Sequence, residues 1–194
     1  MLDIERIIQT RIPDIAPVYG GVRGRTISSH KQAYAWKTVV VAGLKQVIDL
    51  RKDYSADRYP ELCHQYGVDY FHYPIDNDRE TIVKMVKLFP TFCEKIDKGG
   101  FYIACAMGRH RTDIAIALYY VMRPSVPFEE VPEMRGHRYM EKKEFRCDDI
   151  AARLNSIIKA VTPDELAMLG LPADYEAEFL RRKKHLFEVN RNFE

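Results

Sequence analysis

The sequence predicts an α/β fold: a central, mainly parallel sheet with helices on both faces, followed by a helical C-terminal extension. Short apolar runs typical of buried strands alternate with longer segments of helical spacing. Beyond Pro124 the spacing of apolar residues is helical throughout. We therefore predict one domain over residues 1–160 and an extension over residues 161–194 that packs on it.

The predicted strands are short and rich in β-branched and aromatic residues. Helical segments separate them, so neighbouring strands are expected to be parallel and to be joined by right-handed crossovers. The strands are predicted over residues 17–25, 45–51, 69–75 and 101–105.

Glycines end the helices that are predicted between these strands. Ser28 or Ser29 is a candidate N-cap of the first helix. Pro90 is expected to kink the third helix or to break it locally. The predicted helix ends are Gly43, Gly67 and Gly99–Gly100, and further helices are predicted over residues 111–122, 128–141, 147–161, 163–170 and 172–190.

Composition excludes several classes of function. The 30 basic and 28 acidic side chains give a formal net charge of +2, so no global attraction for nucleic acid is expected and any anion binding must be local. No segment resembles a signal peptide or approaches the roughly 18–20 apolar residues of a membrane span. We expect a cytoplasmic protein without integral membrane association. The sequence does not indicate an oligomeric state.

The four cysteines are widely spaced and form no CxxC pair: Cys63, Cys93, Cys105 and Cys147. In a reducing compartment they are expected to be thiols. Their spacing does not match that of metal ligands, so we expect no metal and no other cofactor.

The segment CAMGRHRT, residues 105–112, joins the last predicted strand to a strongly apolar helix. Ligands of open α/β sheets bind at the carboxyl ends of strands, where Cys105 lies. The backbone N–H groups of this loop and of the following helix N-terminus converge, which predicts an anion-binding site. Gly108 permits the backbone conformation that such a tight loop needs.

The side chains of this segment suit covalent phosphoryl transfer. Arg111 can offer a bidentate guanidinium to phosphate oxygens, and Thr112 can hydrogen-bond the sulfur. The positive end of a helix favours the thiolate form of Cys105, which is the nucleophilic form. The alternative is a buried cysteine followed by an ordinary basic helix start. Three bases at a helix N-terminus oppose the helix dipole and require a compensating anion, which favours the functional interpretation.

This segment resembles the C-x-x-G-x-x-R-[ST] signature of the cysteine-dependent protein tyrosine and dual-specificity phosphatases. The segments YGGVRG, VIDLR and GVDYFHYPID extend the resemblance over most of residues 17–122. It implies a dual-specificity phosphatase-like fold. It also implies that Cys105 attacks phosphorus, that Arg111 binds the equatorial oxygens and that Thr112 aids hydrolysis of the phosphocysteine. The implied phosphate-binding loop residues are Ala106, Met107, Gly108, Arg109 and His110.

The resemblance also implies an aspartate that protonates the leaving oxygen. Asp76 and Asp78 are both candidates; Asp76 directly follows a predicted strand and is favoured, whereas Asp78 also suits a helix N-cap. Ala104 stands where the family usually has the histidine that helps to arrange the loop. Its absence predicts a slower enzyme or a higher working pH.

The implied substrate is a phosphotyrosine or dual-specificity protein substrate. Arg109 and His110 could reach beyond the reacting phosphate, which makes a phosphoinositide or inositol polyphosphate the main alternative; they could equally face water or a neighbouring acid. A phosphate-binding pseudophosphatase and a sulfurtransferase or arsenate reductase are the rival classes. Arg51 either orients the loop or the general acid, or forms an exposed ion pair.

Overall fold

The computed structural model describes residues 1–27, 33–52, 59–135, 147–162, 164–165 and 175–191. The chain divides into two compact units. The first comprises residues 1–75 and 90–112, and the second comprises residues 76–89 and 113–194. The boundary predicted at residue 160 stays a prediction.

A five-stranded sheet forms the centre of the first unit. Its order is β1-β2-β5-β3-β4, and every neighbouring pair is parallel except β1 and β2. The predicted α/β class with a mainly parallel sheet is therefore confirmed. The strands are β1 (Ala16–Val18), β2 (Gly21–Arg25), β3 (Gln46–Asp49), β4 (Asp69–His72) and β5 (Phe101–Cys105).

The segment 17–25 forms a hairpin, not the single strand that was predicted. Tyr19 and Gly20 join β1 to β2 with φ angles of 46° and 75°. Two successive residues with positive φ are typical of the tight turns whose twist matches that of antiparallel strands. The predicted strand therefore becomes an antiparallel edge pair on an otherwise parallel sheet.

The described part of the chain contains seven helices. Asp3 caps the first by accepting a hydrogen bond from the Arg6 backbone N–H at 3.0 Å, and the sequence analysis did not predict this helix. The fourth helix is continuous through Pro90, so the local break is absent. The helices are α1 (Ile4–Ile8), α2 (Ala33–Val41), α3 (Tyr59–Gln65), α4 (Arg79–Asp97), α5 (His110–Met122), α6 (Cys147–Ala160) and α7 (Tyr175–Arg191).

The helix predicted over residues 128–141 is wrong for its described part. Residues 123–135 form turns and irregular chain without a helix. Pro132 lacks the N–H that a helix interior needs, and its ring clashes with the preceding turn. The candidate caps Ser28 and Ser29, and most of the helix predicted over residues 163–170, lie outside the described residues.

Aromatic side chains pack against one another in the first unit. Trp36 is buried, stacks on Tyr66 with ring centroids 5.7 Å apart and donates its indole N–H to the Ile27 carbonyl. Tyr73 stacks on Phe92 of α4 at 4.2 Å. These contacts anchor α2 and the C-terminal half of α4 within this unit. None of the helices in the described ranges is long and apolar enough to cross a membrane.

Arg182 ties α7 to the chain that follows α5 within the second unit. This side chain is only 2% exposed, and it pairs with Glu178 at 2.8 Å. Its guanidinium donates to the Tyr120 and Pro124 carbonyls, both at 3.1 Å, and to the Val126 carbonyl. Arg182 thus donates hydrogen bonds to three backbone carbonyls that would otherwise lack this donor.

Replacing Arg182 by methionine is expected to lower the free energy of unfolding by roughly 3–5 kcal/mol, because several buried carbonyls and one carboxylate lose their donor. Urea denaturation measures this loss. Arg181→Met is the matched control: Arg181 pairs with the same Glu178, but its side chain is 57% exposed, so a much smaller loss is expected. Equal losses in the two variants would contradict the assigned role of Arg182.

Candidate active site

The segment 105–112 connects the carboxyl end of β5 to the first turn of α5. Cys105 is the last residue of β5, and its carbonyl accepts a hydrogen bond from the Gly108 N–H at 3.2 Å. This bond closes a tight turn, and α5 begins two residues later at His110. The loop therefore has the strand–turn–helix geometry that presents backbone N–H groups to an anion.

Gly108 is required at its position for two reasons. Its φ of 70° lies in the left-handed region that favours glycine. A Cβ at this position would also lie 2.3 Å from the Gly24 carbonyl carbon and 2.4 Å from the Arg25 nitrogen. Both contacts are with the backbone of β2, which cannot rotate away. The loop therefore lies directly on the neighbouring strand.

Replacing Gly108 by alanine is expected to lower the free energy of unfolding by about 2–4 kcal/mol and to weaken phosphate binding, because the loop must leave β2. Urea denaturation and calorimetric titration with inorganic phosphate measure the two effects. Gly20→Ala is the control: its φ is 75°, but no atom lies within 4 Å of the added Cβ. It should cost about 1 kcal/mol and leave phosphate binding unchanged. If Gly108→Ala bound phosphate as tightly as the wild type, phosphate binding would not depend on the packing of the loop against β2.

The structure brings Cys105 and Thr112 together. Thr112 is fully buried in the first turn of α5, and its Oγ1 donates a hydrogen bond to Cys105 Sγ at 3.3 Å. A hydrogen bond donated to sulfur stabilises the thiolate relative to the thiol. Ala106 and Met107, which follow the cysteine, are both exposed. The loop thus opens to solvent directly beside the sulfur-bearing residue.

The loop's two arginines differ in whether a described residue of the protein pairs with them. Arg109 forms an ion pair with Asp14, with 3.0 Å between Nε and Oδ1, and the Asp14 side chain is only 3% exposed. Arg111 is half-buried and makes no side-chain hydrogen bond or ion pair with any described residue. The charge of Arg109 is therefore compensated within the protein, whereas that of Arg111 is available to a ligand. Sequence reasoning did not single out Asp14.

Two alternate residues of β2 contact the loop from one face of the sheet, and Arg23 is the one that bonds the loop backbone. Arg23 is 1% exposed, and its Nη2 donates to the Gly108 and Arg109 carbonyls at 3.1 and 3.4 Å. Arg25 donates to the Met107 sulfur at 2.9 Å. Sequence reasoning missed both arginines. The sequence did contain a signal for them. In the segment RGR, residues 23–25, the two arginines are two positions apart, which places both side chains on the same face of a strand.

Tyr102 fixes the end of β2 from the opposite face. Its hydroxyl donates to the Arg25 carbonyl at 2.6 Å. A side chain at position 24 could not coexist with this contact, because a Cβ on Gly24 would lie 2.5 Å from the Tyr102 hydroxyl. Gly24 therefore leaves the space through which the Tyr102 hydroxyl reaches the Arg25 carbonyl.

A buried ionic cluster occupies the carboxyl end of β3. Asp49 is fully buried, and it accepts hydrogen bonds from the Arg51 guanidinium at 2.8–3.2 Å and from the Tyr70 hydroxyl at 3.0 Å. Arg51 is 8% exposed, so its ion pair is buried, not exposed as one sequence alternative had it.

Burial, and to a lesser degree the Asp49 carboxylate, raise the pKa of Cys63 to about 12. Cys63 is therefore protonated at neutral pH.

The two candidate general acids belong to the second unit and have different local roles. Asp78 is exposed and caps α4: its Oδ1 accepts the Thr81 backbone N–H at 2.9 Å, and its Oδ2 accepts the Thr81 hydroxyl at 2.8 Å. Asp76 is half-buried and accepts the Asn77 backbone N–H at 2.7 Å. Both carboxylate oxygens of Asp78 therefore accept hydrogen bonds from Thr81, whereas the Asp76 carboxylate accepts one from the adjacent backbone.

Within the described ranges, no three His, Cys, Asp or Glu side chains cluster closely enough to hold a metal ion. No family model matches the sequence. No curated protein matches it either.

Solved structures share the fold. A DUF442 protein from Shewanella putrefaciens CN-32, named as a candidate phosphatase, aligns with a TM-score of 0.53 at 18% identity, covering 80% of this chain and 97% of its own. TpbA from P. aeruginosa aligns with a TM-score of 0.50 at 14% identity, covering 88% and 91% of the two chains. The chain has a dual-specificity phosphatase-like fold. At these identities the phosphatase-like neighbours establish the fold, and the assignment of activity depends on the site itself.

Proposed function

We propose that the chain hydrolyses phosphate monoesters through a cysteinyl-phosphate intermediate. The observation that carries this proposal is the hydrogen bond from Thr112 to Cys105 Sγ inside a closed loop at a helix N-terminus. The guanidinium of Arg111, six residues after the nucleophile, has no partner among the described residues. A nucleophile, a leaving-group stabiliser and an uncompensated cation on one anion-binding loop suit phosphoryl transfer.

In the first step, the Cys105 thiolate attacks phosphorus. The S–P bond forms as the bond between phosphorus and the leaving oxygen breaks. Arg111 and the loop N–H groups bind the three equatorial oxygens, where negative charge accumulates. Asp76 donates its proton to the leaving oxygen, because an alkoxide is a poor leaving group.

In the second step, water attacks the phosphocysteine. The Asp76 carboxylate accepts a proton from the water, and the S–P bond breaks to release inorganic phosphate and the thiolate. The Thr112 hydroxyl stabilises the departing sulfur through its hydrogen bond at 3.3 Å. In the absence of a histidine at position 104, this bond and the backbone dipoles are the groups that we assign to thiolate stabilisation.

Two substrate classes suit this mechanism: phosphotyrosine or dual-specificity protein substrates, and inositol phosphates or phosphoinositides. Phosphate release from a panel of phosphopeptides, inositol phosphates and phosphoinositide vesicles distinguishes the two classes. The rate measured with Cys105→Ser is the background. Release by the wild type alone supports the proposal. Binding of inorganic phosphate without release from any substrate, p-nitrophenyl phosphate included, would identify a pseudophosphatase instead. We further propose that the protein acts in the cytoplasm.

A further inference from the structure

Arg25 lies beside the proposed nucleophile at the end of the adjacent strand. It is paired in register with Cys105 across the parallel strands β2 and β5, which lie about 4.8 Å apart as neighbouring strands do. Residues in register project from the same face of a sheet. The Arg25 Nη2 contacts the sulfur of Met107, whose side chain is 44% exposed. The guanidinium therefore lies at the solvent-facing rim of the loop.

The charge of Arg25 is not compensated within the described part of the chain. Its guanidinium makes no ion pair there, and its Nε is buried without a hydrogen-bond acceptor. Its one hydrogen bond to a described side chain is donated to a thioether, which is a weak acceptor. Arg109, only two residues beyond Met107, has a buried aspartate as its partner. The site thus retains a second uncompensated guanidinium besides that of Arg111.

We infer that Arg25 binds a second phosphate group of the substrate, next to the one that is hydrolysed. The inference rests on the proposed function and specifies its substrate class as small polyol phosphates with phosphates on neighbouring carbons. Arg111 and the loop N–H groups suffice for the three equatorial oxygens of the reacting phosphate. Arg25 lies at the rim of the loop and is therefore available to bind a neighbouring anionic group. Its planar guanidinium can donate two parallel hydrogen bonds to phosphate oxygens.

Geometry favours a small bisphosphate over an acidic phosphopeptide. In a phosphotyrosyl peptide, the full length of the aromatic ring separates the reacting phosphate from the backbone and from the neighbouring side chains. Arg25 is one strand spacing from Cys105 and in contact with the loop itself. A second anionic group must therefore be attached close to the reacting phosphate, as in a vicinal bisphosphate.

Two non-hydrolysable anions test the inference without turnover. Calorimetry compares methylphosphonate, which has one anionic group, with methylenediphosphonate, which has two. Arg25→Met should weaken methylenediphosphonate binding about tenfold or more while changing methylphosphonate binding less than about twofold. Arg6→Met, which removes a charge from an exposed position of α1, should change neither. Arg25→Lys should restore part of the affinity, which guards against a folding defect in Arg25→Met.

Substrate kinetics then identify the source of the second phosphate. The ratio of kcat/KM for myo-inositol 4,5-bisphosphate to that for myo-inositol 4-phosphate should fall about tenfold in Arg25→Met. Phosphate release from phosphatidylinositol 4,5-bisphosphate in phosphatidylcholine vesicles then shows whether the substrate is a lipid headgroup or a free inositol phosphate. Equal weakening of both phosphonates would overturn the inference, as would a defect confined to acidic phosphotyrosyl peptides. Absence of turnover with intact methylenediphosphonate binding would overturn the proposed hydrolysis and leave the assignment of Arg25 in place.

Discussion

Cys105→Ser is expected to reduce phosphate release to the level of a protein-free control. The substitution replaces one atom and preserves the shape of the side chain. An alcohol is far less acidic than a thiol, so a serine at this position supplies almost no anionic nucleophile at neutral pH. Release of inorganic phosphate from p-nitrophenyl phosphate, followed over hours at high enzyme concentration, measures the residual rate.

The loop itself should survive this change. Inorganic phosphate should bind Cys105→Ser at least as tightly as it binds the wild type, because the N–H groups and Arg111 are intact and the negative sulfur is gone. Cys63→Ala is the control, since the raised pKa of Cys63, about 12, keeps that thiol protonated. It should retain its activity at temperatures where the variant is folded. Substantial turnover by Cys105→Ser would eliminate the cysteinyl-phosphate mechanism.

Asp76→Asn is expected to lower kcat by about 10²–10⁴-fold for an alkyl or tyrosyl phosphate, because asparagine cannot deliver a proton to the leaving oxygen. The loss of kcat/KM, which reports the phosphorylation step, should be much smaller for p-nitrophenyl phosphate, whose leaving group is stable as an anion. Steady-state kinetics on both substrates measure the difference. A general acid is recognised by this dependence on the leaving group, which a purely structural residue would not produce.

Asp78→Ala is the matched comparison two residues away. Both of its carboxylate oxygens cap α4, so the variant should lose about 1 kcal/mol of unfolding free energy. Its kcat should stay close to that of the wild type for both substrates. A larger loss of kcat in Asp78→Ala than in Asp76→Asn would transfer the role of general acid to Asp78.

Local sequence signals predicted the elements that depend on neighbours along the chain. Strand β5 has the predicted bounds of residues 101–105, and α2 and α3 end just before Gly43 and Gly67 with φ angles of 91° and 65°. The helix predicted from residue 128 failed because apolar spacing was given more weight than Pro132. Helix α1 is only five residues long, too short for periodicity to reveal it.

By itself the sequence determined the reacting groups that we propose, because a nucleophile, a turn glycine, a guanidinium and a hydroxyl occur within eight consecutive residues. The surroundings of that loop were decided by the tertiary structure. Arg25 contacts a residue 82 positions later, and Asp14 pairs with a residue 95 positions later. These contacts exist because β2 pairs with β5, and a strand's residues do not specify which strand will be its neighbour. The sheet order therefore decides which charges reach the phosphate loop and which of them remain free for a ligand.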